Sequence, residues 1–256
     1  MKPAKAIDAH MHLNDPKYSA ADRERILSEM GRLGLSGICS GWDHASSLEA
    51  IRIAEKYPFI YATAGLHPGY VDGAQIEFLS ELREWGRGGT IAAIGECGLD
   101  KCCGTDWNQQ RKALELQLDL AESMKLPVVL HVRKAHEEML RLLSERKGSV
   151  RCMLHGCSAN WEQVQRYLAL GCSISLGGTV TWHNAVKSLR VAASVPVEKL
   201  LIETDSPYML PEPKQGSMNE PRNVFLISRK LSEIRMMPEE ILLSKVTWNT
   251  EQFFGL

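Results

Sequence analysis

The chain has 256 residues, 44% of them hydrophobic and 24% charged, with 30 Lys+Arg against 31 Asp+Glu. This is ordinary globular composition, and it excludes disordered, collagen-like and low-complexity classes. A formal net charge of −1 gives no global field for a polyanion, so any nucleic-acid contact must be local to a site. No stretch approaches the ~20 apolar residues of a membrane helix, and the opening MKPAKAIDAH lacks the apolar core of a signal peptide. Seven cysteines, an odd number, then point to reduced thiols in a cytoplasmic protein rather than to a disulfide framework.

Eight β-rich runs alternate with helical patterns along the chain. The runs are AKAIDAH, LSGICS, FIYATAGL, IAAIGE, PVVLHV, RCMLHG, CSISLGG and LLIETD. Several are almost continuously apolar, as strands buried on both faces are. Helical spacing predicts helices over Ala20–Leu33, Ser46–Lys56, Ile76–Trp85, Asn108–Met124 and Glu137–Arg146. It continues over Trp161–Leu170, Asn184–Ala193 and Val224–Ile234, and Pro238–Glu240 opens a last helix. Gly86–Gly89 and Pro211–Ser217 read as loops.

The strand ends fall near His12, Ser40, Leu66, Glu96, His131, His155, Gly177 and Asp205, at spacings of 28, 26, 30, 35, 24, 22 and 28 residues. A βα unit repeated eight times in about 250 residues is what a (β/α)8 TIM barrel requires. We therefore expect one domain over residues 1–256, an α/β barrel. The rival, an open doubly wound sheet, wants a glycine-rich phosphate loop after its first strand. This chain has His-Met-His-Leu-Asn there.

Barrel active sites lie at the C-terminal ends of the strands. Six candidate metal ligands occupy those ends: His10 and His12 on strand 1, Glu96 on strand 4, His131 on strand 5, His155 on strand 6 and Asp205 on strand 8. His10 and His12 are two apart, so strand alternation turns both imidazoles to one side. Imidazole with carboxylate suits zinc, manganese or iron. A carboxylate ending a buried apolar strand, such as Glu96, must be paired or coordinated. Six ligands exceed the needs of one tetrahedral ion and suggest two metals bridged by a carboxylate. We expect Glu96 as the bridge, His10, His12 and Asp205 completing one ion, and His131 and His155 the other. A water between the ions becomes the nucleophile, and Asp205 accepts its proton. Such a site suits hydrolysis of a phosphoester, an amide or a lactone.

Around this set, Asp8 and Glu203 each precede a ligand by two residues and are expected to fix imidazole tautomers. His67, just outside the cluster, and Arg133, two past His131, are expected to hold an anionic substrate group. Asn219 reads as a helix cap. Lys101, Trp182 and His183 sit on rim loops, with Trp182 read as a packed lid residue. Cys97 must face away from Glu96, no Cys-X-X-Cys occurs, and the cysteines read as small apolar fillers or loop residues.

The strings IDAHMHL, GLHPG, AIGECGLD, PVVLHVRKA, LHGCSAN, ISLGG, LLIETDSPYM and MNEP run in order from residue 7 to 221. As an ordered set they resemble the TatD family of metal-dependent deoxyribonucleases. The resemblance implies a two-metal hydrolase acting on DNA with Mg²⁺ or Mn²⁺, Zn²⁺ being a further candidate. It puts ligand roles on the same six residues and makes His67 and Arg133 substrate-side. The chain departs from the family pattern at Gly69, at Lys101-Cys102-Cys103 and at Val132-Arg133-Lys134-Ala135, which touches outer contacts and no ligand.

The near-zero net charge argues for a short single-stranded DNA end over a long duplex footprint. No obligate protein partner is read. The alternative is a small-molecule amidohydrolase, a lactonase or deacylase on the same barrel. Many of those bridge their metals with a modified lysine, where this chain has Glu96. A deaminase would want an acidic shuttle near His155, and Gly156-Cys157-Ser158 offers none. A non-catalytic binding module sits poorly with six intact candidate ligands.

Overall fold

The computed structural model describes residues 4–72, 78–146, 148–213 and 216–256. Eight parallel strands form one sheet in sequential order, each hydrogen-bonded to the next. They are β1 (Ala6–Met11), β2 (Leu35–Ser40), β3 (Ile60–Ala64), β4 (Ala93–Asp100), β5 (Val128–Arg133), β6 (Cys152–Leu154), β7 (Ser173–Leu176) and β8 (Leu200–Ile202). Among the described residues the helices are α1 (Ala20–Leu33), α2 (His44–Lys56), α3 (Leu79–Arg87), α4 (Trp107–Met124), α5 (His136–Glu145), α6 (Trp161–Ala169), α7 (Val186–Ser194), α8 (Val224–Arg235) and α9 (Glu239–Phe254). The fold is the expected (β/α)8 TIM barrel. None of these helices is long and apolar enough to cross a membrane.

Local chemistry sets the helix ends. Ser19 accepts a hydrogen bond from the Asp22 N–H to open α1, and Gly34, at φ 69°, closes it. The predicted helix at Ser46 begins two residues earlier, because Asp43 and Ser46 form a reciprocal capping box. For the predicted Ile76–Trp85 helix, residues 76 and 77 lie outside the described residues, as do Lys214 and Gln215 of the predicted Pro211–Ser217 loop.

Two apolar layers result. The larger lies between sheet and helices and includes Leu35, Leu99, Leu118, Val164 and Ile202. The smaller fills the lower barrel interior with Ile7, Ala9, Ile38, Ala93, Val129, Met153 and Leu201, and Phe253 and Phe254 from α9 join it. The upper interior is left to polar side chains.

The barrel closes between β1 and the segment after β8. Asp205 N–H donates to His10 O at 2.9 Å and His12 N–H to Ser206 O at 2.8 Å. Asp8 clamps the same seam, accepting from the Thr204 N–H at 2.8 Å and from the Thr204 hydroxyl. Burial pushes the Asp8 pKa up to about 8 against these bonds.

Two ligand-bearing strands carry an extra residue. Between Asp8 and Met11, β1 spans what β2 covers in Gly37–Cys39. Between Ile94 and Cys97, β4 spans what β5 covers in Val128–Leu130. Such bulges bend a strand and re-aim its side chains. In β4 the bulge depends on glycine: Gly95 has φ 132°, and a Cβ there would lie 2.5 Å from Val129 O. At Gly98, with φ 155°, a Cβ would lie 1.8 Å from His131 O.

Gly98→Ala must therefore push β4 from β5 at the His131 backbone. We expect a loss of about 2–4 kcal/mol, read as a lower denaturation midpoint at unchanged m-value in urea unfolding.

Candidate metal centre

At the C-terminal mouth of the barrel, the six predicted residues come together. His10 and His12 present their Nε2 atoms 3.1 Å apart. Glu96 Oε2 lies 3.5 Å from His10 Nε2 and 3.6 Å from His12 Nε2. Its other oxygen, Oε1, lies 2.9 Å from both His131 Nδ1 and His155 Nε2. Each Glu96 oxygen thus faces a different pair of imidazoles. Asp205 Oδ1 sits 3.3 Å from His12 Nε2 and 3.7 Å from His10 Nε2. Asp205 itself adopts a left-handed backbone with φ 55°, a conformation aspartate tolerates better than most residues. His155 also belongs with His10 and Asp205, because His10 and His155 stack at 3.9 Å.

Burial is deep and graded. His10 is fully buried, and His12, Glu96 and His155 are nearly so. The Asp205 side chain keeps 20% of its exposure against 6% for Glu96. Asp205 is the carboxylate nearer to solvent.

The outward nitrogens decide which way each ring presents its lone pair. His12 Nδ1 lies 2.9 Å from Ser40 O, which can only accept, so Nδ1 carries the proton and Nε2 offers a lone pair inward. His131 Nε2 faces Asp100 Oδ2 at 3.3 Å, and His155 Nδ1 faces Glu203 Oε1 at 3.4 Å. His10 Nδ1 meets Ser40 Oγ at 3.1 Å, and that hydroxyl oxygen already accepts from Thr63 Oγ1. Four imidazole nitrogens and two carboxylates converge at 2.9–3.7 Å. That arrangement is repulsive unless positive charge joins it, and the donor set is all nitrogen and oxygen, as borderline divalent cations prefer.

Electrostatics point the same way. At His12 burial disfavours the charged ring, but the bond to Asp205 and the charge of Glu96 outweigh it and raise the pKa. For His155, burial is likewise outweighed by Glu96 and Glu203, and its pKa rises well above the usual imidazole range. Burial would raise the Glu96 pKa, yet His155 and His67 hold it well below the usual carboxylate range.

His67 joins the cluster rather than standing outside it: its Nε2 is 3.6 Å from Glu96 Oε1, and its ring centroid is 4.4 Å from that of His131. It differs in tautomer. Its Nδ1 accepts the Gly69 N–H at 2.9 Å, so the proton sits on Nε2 and faces the site. Burial lowers its pKa to about 4, leaving a neutral donor. Arg133 lies exposed at the end of β5; against burial, the Asp100 pKa is held down first by the His131 bond, then by the Cys102 N–H and the His131 charge, with Arg133 adding least.

Other expectations divide. Glu203 does face an imidazole nitrogen, but Asp8 does not; the β1 bulge and the donors of Thr204, just after β8, take its carboxylate. Asn219 caps no helix. Its amide nitrogen donates to Thr204 O, Tyr208 O and Met209 O, and its oxygen accepts from Glu220 N–H and Asn223, fastening the loop after β8. Trp182 is half-buried, with Nε1 donating to Leu210 O at 3.0 Å. Lys101 is paired with Glu138, and His183 faces Glu212 at 3.4 Å on the surface. The cysteines are free: Cys39, Cys97, Cys152, Cys157 and Cys172 are buried, and Cys102 and Cys103 lie on the rim loop.

Asp100 was missed. The predicted strand stops at Glu96, but β4 runs on to Asp100, four residues further and on the same strand face. The signal was present in AIGECGLD, where glycines obscured the alternation. Because Asp100 holds His131 in its tautomer, Asp100→Ala is expected to weaken divalent-metal affinity about 10- to 100-fold with the fold retained. Competition titration with a chromophoric chelator measures it.

A family model described as TatD related DNase matches residues 7–255. An Escherichia coli K12 protein named uncharacterized metal-dependent hydrolase YjjV is 32% identical over 255 residues, covering 98% of each chain. A Pantoea protein named 3'-5' ssDNA/RNA exonuclease TatD is 33% identical over 259 residues, covering 98% of this chain and 99% of that one. The crystal structure of the E. coli TatD homologue YjjV superposes with a TM-score of 0.90 at 31% identity, over 99% of each chain. The chain therefore belongs to the TatD-related DNase family of metal-dependent hydrolases.

Proposed function

We propose that the chain is a two-metal phosphodiesterase that cleaves DNA from a single-stranded end, with Mg²⁺ or Mn²⁺ as the working ions. One observation carries the reading: the two oxygens of buried Glu96 address two separate imidazole pairs, at 3.5–3.6 Å and at 2.9 Å. That is the posture of a bridging carboxylate. His10, His12 and Asp205 would hold one ion, and His131 and His155 the other. Divalent cations bound there supply Lewis acidity towards a phosphoryl oxygen and a water of lowered pKa.

The chain's own groups supply the rest. Asp205 accepts the proton of the attacking water, being the carboxylate nearer to solvent. His67 offers its Nε2–H to a substrate oxyanion. Arg133 is placed for a bidentate grip on a flanking phosphate. The ssDNA/RNA exonuclease names of several relatives support a nucleic-acid substrate.

The deciding experiment gives the purified chain Mg²⁺ or Mn²⁺ and screens it on end-labelled single-stranded oligonucleotides beside ester and lactone panels. Nucleotide release is expected. Hydrolysis of a lactone or ester with no oligonucleotide cleaved would replace the nuclease with a small-molecule amidohydrolase.

Glu96→Gln is expected to lower metal content from two ions per chain to about one and turnover by at least about a hundredfold, with unchanged circular dichroism. Wild-type turnover in that variant would remove Glu96 from the bridge. Asp205→Asn, which keeps a ligating oxygen, should retain both ions and lose about 10²- to 10⁴-fold in kcat, read by metal analysis beside kinetics.

A further inference from the structure

The mouth of the barrel has two unlike halves. On the β4–β5 side stand charged groups: Asp100, Lys101, Arg133 and Lys134. On the β2–β3 side stand aromatic rings. Trp42 packs edge-on against His12 at a centroid separation of 5.3 Å. Tyr70 lies 6.3 Å from Trp42 and 6.0 Å from His67. Each ring is thus one imidazole away from the metal cluster.

Neither ring serves the barrel core. The lower interior is filled by the strand residues and Phe253 and Phe254, while Tyr70 leaves 49% of its surface exposed and Trp42 is half-buried. Their backbones are nevertheless held firmly. Trp42 N–H donates to Ser46 Oγ at 2.8 Å, and Trp42 O accepts the His67 N–H at 2.9 Å. Tyr70 N–H donates to His67 O at 2.9 Å within the Pro68–Tyr70 turn. A wet aromatic surface on a fixed backbone, beside a cation site, is built to receive a flat apolar face. Tyr208, another aromatic near the mouth, is already committed: its hydroxyl bonds Asp15 at 2.7 Å, and the Lys17 ammonium covers its ring at 3.8 Å.

We propose that Trp42 and Tyr70 form a stacking subsite for the nucleobase beside the scissile phosphate, while Arg133 and Lys134 take the next phosphates on the opposite wall. The proposal rests on the nuclease reading above and adds the path of the strand across the mouth. Stacking uses the π face that every base has, so the subsite accepts all four bases and excludes paired ones. It binds; it does no chemistry.

The test uses the Mn²⁺-loaded enzyme and a labelled single-stranded oligonucleotide, intact or with an abasic residue on either side of the cleaved bond in turn. With the intact strand, Trp42→Ala is expected to raise KM about 5- to 100-fold with kcat changed less than about threefold, Tyr70→Ala to do the same more weakly, and Trp42→Phe to restore most of the loss. At one of the two abasic positions, wild type should lose a similar factor, and Trp42→Ala should lose nothing more. Equal losses on intact and abasic strands, or an unchanged KM in Trp42→Ala, would overturn the subsite while leaving the nuclease standing. No cleavage of any oligonucleotide by wild type would overturn both together.

Discussion

A carboxylate with almost no access to water, set among five imidazoles, is the constraint around which this barrel is organised. Burying Glu96 alone would cost several kcal/mol, so it stands only where positive charge can join it. The rings around it cannot turn away. Ser40 and Asp100 bond the outer nitrogens of His10, His12 and His131, and Glu203 faces that of His155 at 3.4 Å. The inner nitrogens are therefore gathered before any ion arrives. This gathering is what the polypeptide contributes to a metal site beyond the ligands themselves.

Gathering them has a structural cost, and it falls on the strands. The bulges in β1 and β4 interrupt the ladder where His10 and Glu96 must turn inward. Gly95 and Gly98 let β4 approach β5 at distances no side chain would allow. The lower half of the barrel compensates with dry packing from nearly every strand and Phe253 and Phe254. Stability is concentrated below and chemistry above, the division common to barrels of this architecture. The clamp from Asp8 to Thr204 belongs to both halves, since it closes the seam directly beneath His10 and Asp205.

The barrel and the six clustered residues were legible because strand ends recur at regular spacing and the ionisable residues sit on those ends. Register was not legible. A bulge is one residue long and leaves the apolar pattern intact, so Asp8 looked like a partner for an imidazole when its donors lay on the far side of the seam. Asp100 was hidden because glycines blank the alternation that would have extended β4. The tautomer of His67 hangs on a single backbone N–H, that of Gly69, which no side-chain pattern reports. Asn219 sits fully buried among loop carbonyls, and a loop's unmet acceptors are invisible until the loop is folded.

Charge connects the centre to its surroundings. The whole chain is nearly neutral, at −1, so it offers no long-range pull on a polyanion. On the two-metal reading, Glu96 and Asp205 bring two negative charges to a site that gains four positive ones, and Asp100 and Glu203 stand behind the rings. The excess is local, and at physiological salt it fades within about 8 Å. A duplex lying across the surface would gain little from it. A single strand whose end enters the mouth places one phosphate inside that range and leaves its bases unstacked. Those bases then need a new apolar partner, and the side of the rim that carries Trp42 and Tyr70 offers exposed aromatic surface for it.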